Sequence, residues 1–270
     1  MPGVSEAAAI RATPAPVTRG RIAADLERLG VRRGGVLLVH SSLSALGWVC
    51  GGAQAVVEGL RDALEPGGTL VVPAHTSGNC DPATWANPPV PEDWWPVVRA
   101  ELPGFDPRLT PSHHMGAIVE TARTWPGARR SAHPQVSFAA IGPQAERITA
   151  GHALHSGFGD RSPVARVHDL DGDVLLLGVG HGANSSLHLA EHRVPDPPRE
   201  RSAAAVATPD GRRWVSWEDV VADANDFEEL GAAFDATGRT RVGPVGEGEG
   251  RLMRQRELVE FAVAWLAEHR

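Results

Sequence analysis

Apolar positions along the chain follow two rhythms. In RGRIAADLERLG, Ile22, Leu26 and Leu29 recur at helical spacing, with Thr18 placed to cap the start and Gly30 to close the end. Val36 to Val39 is a short unbroken apolar run, the pattern of a buried strand. AQAVVEGLRDAL predicts a second helix and Thr69 to Pro73 a second buried strand. That strand–loop–helix–strand order predicts a right-handed βαβ unit. Further on, MGAIVETARTW predicts a helix, HPQVSFAAIG a strand and PQAERITAG a short helix. HALHSGFGDRSPVARV predicts a loop entering a helix near Pro163. AAVATP and RRWVSW predict an antiparallel hairpin turning at Asp210-Gly211, FEELGAAFDATG a helix, and RELVEFAVAWLAEH a final amphipathic one.

The pattern fails from His75 to His114, a proline-rich segment with Trp85, Trp94 and Trp95. A run of that length inside a compact chain predicts a binding lobe or lid, with aromatics available to wall a pocket. Residues 1–15 predict a flexible leader. The division expected is therefore one domain over 16–270, with 75–114 as an irregular substrate lobe.

The densest chemistry lies in VLLLGVGHGANSSLHLAEHR. A buried strand, Val174 to Leu177, runs into Gly178, Gly180 and Gly182, then into Asn184, Ser185 and Ser186 as capping candidates, then into a helix over Leu187 to His192. Strand, glycine turn and helix start together form the usual ligand crevice of an α/β sheet. His188 and Glu191 sit at i, i+3 and share a helix face. An imidazole titrates near neutral pH and a carboxylate beside it fixes its tautomer, so the pair is a general-base candidate; a capped helix with a packed histidine has the same pattern. The hydroxyls of Ser41, Ser42 and Ser44 around Leu43, followed by Gly47, Gly51 and Gly52, place unpaired amides at a helix start, where a phosphate or pantetheine amide could bind; a self-capped turn needs the same residues. His152 lies in a predicted turn ahead of Gly159-Asp160 and is a loop histidine of catalytic or turn-donor type.

Composition narrows the partners. The chain has 270 residues and a net charge of -7, with a pI near 5.9. With no dense basic stripe, nucleic acid and anionic membrane are poor partners, and a cationic small molecule is an easier one. Asp81, Asp106, Glu120, Asp160 and Glu191 fall near the proposed crevice and together suit a polycation, though each also suits a solvated surface. The histidines lack the spacing of a zinc site, so no metal is expected. No GxSxG is present, and Cys50 and Cys80 form no framework, which points weakly to a reduced cytoplasmic setting. No apolar run is long enough to span a bilayer.

VHSSLSALGWVCGG, CDPATWANPPVPEDWW, TPSHHMGAIVE, HPQVSFAAIGP, FGDRSPV and LLLGVGHGANSSLHLAEHR, in this order from about Thr18 to the last helix, resemble the aminoglycoside 3-N-acetyltransferase family. The resemblance implies a three-layer α/β/α sandwich unlike the GNAT fold, acetyl-CoA as donor, and the 3-amino group of a 2-deoxystreptamine ring as acceptor. It implies that Ser41, Ser42, Leu43, Ser44, Gly47, Gly51 and Gly52 face the coenzyme. It makes His188 and Glu191 the catalytic pair, with His152 as a third candidate. Asp160 stands where many members carry Glu. Asp81, Glu120 and Asp160 are the expected ammonium contacts. His133-Pro134 also fits the family and is taken as structural. A homodimer stays open. So do two other readings: an acetyltransferase of this fold acting on another small amine, and a noncatalytic protein that binds coenzyme or drug.

Overall fold

The computed structural model describes residues 6–270. Its first helix, α1 (Glu6–Ala12), occupies part of the expected leader, whose first five residues lie outside the described ones. This is a correction with a local cause: the Trp48 indole N–H donates to Glu6 at 3.2 Å and the Trp48 amide to Thr13 Oγ1 at 2.7 Å, tying the segment to the body. The chain continues as α2 (Arg19–Leu29), β1 (Val36–Ser41), α3 (Gly52–Leu64) and β2 (Thr69–Pro73). Thr18 caps α2 through the Arg21 amide and Gly30 ends it at φ 97°, as the spacing predicts. After the lobe and its α4 (Trp95–Glu101) come α5 (Gly116–Arg123), β3 (Arg129–Arg130), β4 (Phe138–Ile141), α6 (Ala145–Thr149), α7 (Pro163–Asp169), β5 (Asp173–Leu177) and α8 (Ser186–Glu191). The last part holds β6 (Arg199–Thr208), β7 (Gly211–Val220), α9 (Phe227–Asp235), β8 (Arg241–Val245), β9 (Gly248–Arg254) and α10 (Gln255–His269).

A seven-stranded mixed sheet, in the order β3-β4-β2-β1-β5-β9-β8, organises the molecule. β1 runs parallel to β2 and to β5, and the outer pairings are antiparallel. Side chains of a strand alternate between faces, and the central strands show it. Leu37, Val39, Leu70, Val72, Leu175 and Leu177 pack with α2, α3 and α5. Val36, Leu38, Val71, Val174 and Leu176 pack with α6 to α10. Truncating a fully buried leucine such as Leu60 to alanine in such a core costs about 2–5 kcal/mol.

β6 and β7 form a separate hairpin across Ala203↔Ser216 and turn before Gly211. This hairpin clamps the lobe. The Phe105 amide donates to Ala205 O at 2.9 Å and the Ala207 amide returns to Phe105 O at 3.1 Å. Asn79 Nδ2 reaches Ala205 O at 3.1 Å, and Arg212 Nε reaches Leu102 O at 2.6 Å. The lobe is thus less irregular than its prolines suggest: it carries α4 and two short 3-10 turns, Pro82–Thr84 and Glu92–Trp94. Trp85 walls a cavity of about 690 Å³, whereas Trp94 is 56% exposed and stands outside that wall.

Candidate active site

Alternation along β1 divides the site. His40 continues the Val36 and Leu38 side, toward α8; Ser41 continues the Leu37 and Val39 side. Beyond Ser41 the chain makes a short 3-10 turn, Leu43–Leu46, and these residues open onto a cavity of about 600 Å³. Ser41, Ser42, Leu43, Ser44, Gly47 and Gly52 line it. Gly51 lines it in no way described; it sits at φ 88° and its carbonyl accepts the Ala55 amide at the start of α3, so its role is the cap. Trp48 and Val49 of the same loop line it too, and residues not expected there complete the wall: Glu6 and Ala9 of α1, and His114 to Ile118 at the start of α5. Only assembly of distant segments brings them together. Ser41 Oγ is buried without a partner among the described residues, as an atom awaiting a ligand would be.

The glycine turn after β5 does different work from that expected. Gly178, at φ 69°, lets the chain pass the 3-10 turn: a Cβ there would lie 2.3 Å from that of Ala45. The His181 and Gly182 amides, however, both donate to the Glu228 carboxylate, at 3.2 and 2.7 Å. His181 itself is buried and pairs through Nε2 with Asp235 at 3.2 Å. The turn's donors are therefore spent inside the protein, on α9, rather than held for a ligand. Asn184 supplies the cap that leads into α8, accepting the Ser186 amide at 3.1 Å.

One face of α8 then presents His188 and Glu191. His188 Nδ1–H donates to Glu191 Oε2 at 2.6 Å. The imidazole is stacked on Phe158, with ring centres 4.5 Å apart, and lies 4.7 Å from Phe227. Glu191 is 3% exposed, and its other oxygen accepts the Asp223 amide at 3.2 Å and meets the guanidinium of Arg270. Two more imidazoles approach from the strand ends. Burial pushes His40 down to about 3, and the neighbouring His188 adds to that push. His75, in edge contact with Phe138 and Phe158, is also held near 3, first by burial and then by His40 and His188. Both stay neutral, and each keeps a buried Nε2 without a partner among the described residues.

His152 has other company. Nε2 faces the Gly157 carbonyl at 2.9 Å, which can only accept, so Nε2 carries the proton. Nδ1 then accepts from Ser131 Oγ at 2.9 Å, while that oxygen accepts the Phe138 amide at 2.9 Å. Burial holds this imidazole well below its ordinary value. His133 beside it accepts the Gln135 and Val136 amides on Nδ1 and donates to Leu154 O from Nε2.

The three carboxylates expected to meet ammonium groups are each already paired. Asp81 takes a double contact from Arg99, at 3.1 and 2.7 Å, and caps the Ala83 amide; the Arg99 bond chiefly holds it below the usual carboxylate range. Glu120 is pushed down to about 2, first by the Arg123 bond. Asp160, largely exposed, pairs with Arg193 at 3.0 Å. Of the three, Asp81 walls a described cavity, about 310 Å³, shared with His75, Gln135, Glu200 and Arg201.

Sequence reasoning did not find Arg270, which lies 79 positions from Glu191 and joins it only through the packing of α10 on α8. Nor did it assign roles to Phe158 and Phe227. His40 follows the Val36 to Val39 run directly, and alternation along the strand places it on the His188 side.

Comparison with known proteins is consistent with this geometry. A family model described as aminoglycoside 3-N-acetyltransferase matches residues 38–267. The SPbeta prophage-derived aminoglycoside N(3')-acetyltransferase-like protein of Bacillus subtilis is 38% identical, covering 95% of this chain and 94% of its own; its crystal structure superposes with a TM-score of 0.93 over 96% of each chain. Aminoglycoside N(3)-acetyltransferase VII of Streptomyces paromomycinus is 36% identical, over 98% and 96% of the two chains. The AAC-IIIb binary complex with CoASH matches with a TM-score of 0.85 at 31% identity, over 94% and 98%. The chain belongs to the aminoglycoside 3-N-acetyltransferase family.

Proposed function

We propose that the protein transfers the acetyl group of acetyl-CoA to the 3-amino group of a 2-deoxystreptamine aminoglycoside, and so confers resistance. The observation that carries this reading is the His188–Glu191 pair, 2.6 Å apart. Glu191 fixes the proton on Nδ1, which makes Nε2 the atom that accepts a proton from the attacking amine. The cavity beyond β1 fits the coenzyme. Its hydroxyls, its glycines and the unpartnered Ser41 Oγ suit a pantetheine arm, and the AAC-IIIb relative was solved with CoASH. Acetyl-CoA, when bound, supplies the activated acyl group. The residues of this chain orient the amine, take its proton at His188 Nε2, and offer donors from the Ser41 to Gly52 loop where negative charge develops on oxygen.

His152 acts structurally in this account, since neither ring nitrogen is free to exchange a proton without breaking a bond. Asp81 is the ammonium contact best supported, because it walls a cavity that His75 shares. Glu120 and Asp160 serve their arginines. The two core clusters on opposite sides of the same strands support a three-layer α/β/α sandwich. Among the described residues, no helix is long and apolar enough to cross a membrane, which fits a cytoplasmic enzyme.

The test is thiol release from acetyl-CoA across gentamicin-like aminoglycosides, neomycin-like aminoglycosides and unrelated amines. Release with the first two groups and not the third is expected. Release only with an unrelated amine would move the acceptor, and no release with any would overturn the reading.

A further inference from the structure

Past the end of α10, Arg270 folds back over the site. Its Nη1 meets Glu191 Oε1, the oxygen that His188 does not use. Its Nε donates to Asp226 Oδ2 at 2.7 Å, and its Nη2 to the Asp223 carbonyl at 2.6 Å and to Asp226 Oδ1. The guanidinium also stands 5.9 Å from the centre of the Phe227 ring, the ring packed against His188. Four acceptors on three residues leave this side chain one arrangement, and a planar guanidinium suits such a fixed fork. The Glu191 side chain is only 4% exposed. A carboxylate buried to that degree requires compensation, and removing one partner of a buried pair is costly because the other is left uncompensated.

We propose that Arg270 is a positioning residue for acetyl transfer: it grips one oxygen of Glu191 so that the other stays aimed at His188 Nδ1. This rests on the general-base role given to His188 above. It acts through Glu191 and touches neither the amine nor the thioester.

The charge balance explains why a cation belongs there. Arg270 faces two carboxylates, Glu191 and Asp226, so the group carries one surplus negative charge. The imidazolium formed when His188 takes the amine's proton cancels it. The other titratable groups around His188 are His40 from β1, His75 from the segment after β2, and His192 just beyond α8. Asp219 faces His192 at 3.8 Å, and the Asp223 carboxylate is turned to the Asn225 amide. Taking away the positive charge of Arg270 makes protonation of the His188–Glu191 pair easier. The midpoint of His188 then moves up, and the acidic limb of the rate profile moves up with it.

The experiment uses the full chain with histidine carrying ¹³C at Cε1, titrated by NMR without substrate, with His188→Asn to assign the signal. In Arg270→Met the His188 midpoint is expected to rise by about half to one unit. The acidic limb of kcat/KM should follow, and kcat should fall about tenfold with KM for acetyl-CoA unchanged. Arg270→Lys should return the midpoint while recovering only part of kcat, since it restores charge without the fork. In a Glu191→Gln background, Arg270→Met should cost less than about twofold more, because its target is gone. An unmoved midpoint with only a lower thermal midpoint would overturn the proposal, as would an equal loss in both backgrounds. The titration needs no acceptor, so a midpoint that moves in a protein acetylating no amine would sink the functional reading, and with it the catalytic purpose of the grip, while an unmoved midpoint in an active acetyltransferase would overturn the grip alone.

Discussion

The molecule holds two histidine environments that look alike in the sequence and differ in what they can do. Both imidazoles are packed against another ring, His152 against His133 and His188 against Phe158. At His152 the partners are a hydroxyl and a carbonyl, which fill both nitrogens and leave the ring neutral and locked. At His188 a buried carboxylate holds Nδ1, and among the described residues no hydrogen bond fills Nε2. Burial alone therefore makes a structural histidine. Burial with a carboxylate on the far nitrogen makes a base, because the carboxylate stabilises the imidazolium that burial would otherwise penalise.

Substitutions at the two sites should separate that contrast. The largest effect is expected from His188→Ala, with kcat per folded molecule lowered by about 10²–10⁴, read by thiol release. Turnover within a fewfold of wild type would remove the base. Asp81→Asn should come next, raising KM for the aminoglycoside several-fold with kcat held. Glu120→Gln should leave KM alone and lower stability through the loss of the Arg123 pair. An effect on KM from Glu120 and none from Asp81 would reverse those assignments.

His152→Asn should act on stability and leave turnover nearly untouched. It removes the partners of Ser131 and Gly157, a loss of about 1–3 kcal/mol, which at this size lowers the midpoint by about 2–4 °C per kcal/mol. Its kcat per folded molecule should stay within about twofold of wild type. A further effect is on acid stability. Folded His40 and His75 sit near 3 and His133 near 4, below an unfolded value of about 6.5. The unfolded chain thus binds more protons over that window, so their stabilisation is complete above about 6.5 and is lost as pH falls toward 4 and 3. The thermal midpoint should be flat near neutrality and decline below about pH 6.5, and a His133→Gln variant should decline less steeply. A midpoint flat down to pH 4 would contradict the neutral cluster.

Local pattern carried much of this architecture. The central strands β1, β2 and β5 appear as unbroken apolar runs because they are buried on both faces, and α2 and α10 announce themselves by period. β8 and β9 did not: RVGPV and GEGRLMR mix glycine, proline and charge, and of the two only β8, with Pro244, is an edge strand of the kind that tolerates proline, while β9 lies between β5 and β8. β3 is too short to have a period. At the site, the pairing of His188 with Glu191 was legible because i, i+3 is a local rule. The Arg270 grip, the Arg99 and Arg193 contacts on the proposed ammonium ligands, and the Glu228 carboxylate filling the glycine turn were not, since each joins residues brought together only by the fold.

The most direct measurement is a crystal structure of the protein with CoA and an aminoglycoside bound together. The account predicts the 3-amino nitrogen within hydrogen-bond reach of His188 Nε2, about 2.6–3.2 Å, with the coenzyme sulfur arriving from the Ser41 side of β1. A nitrogen outside that reach, with Nε2 closed off between Phe158 and Phe227, would contradict it.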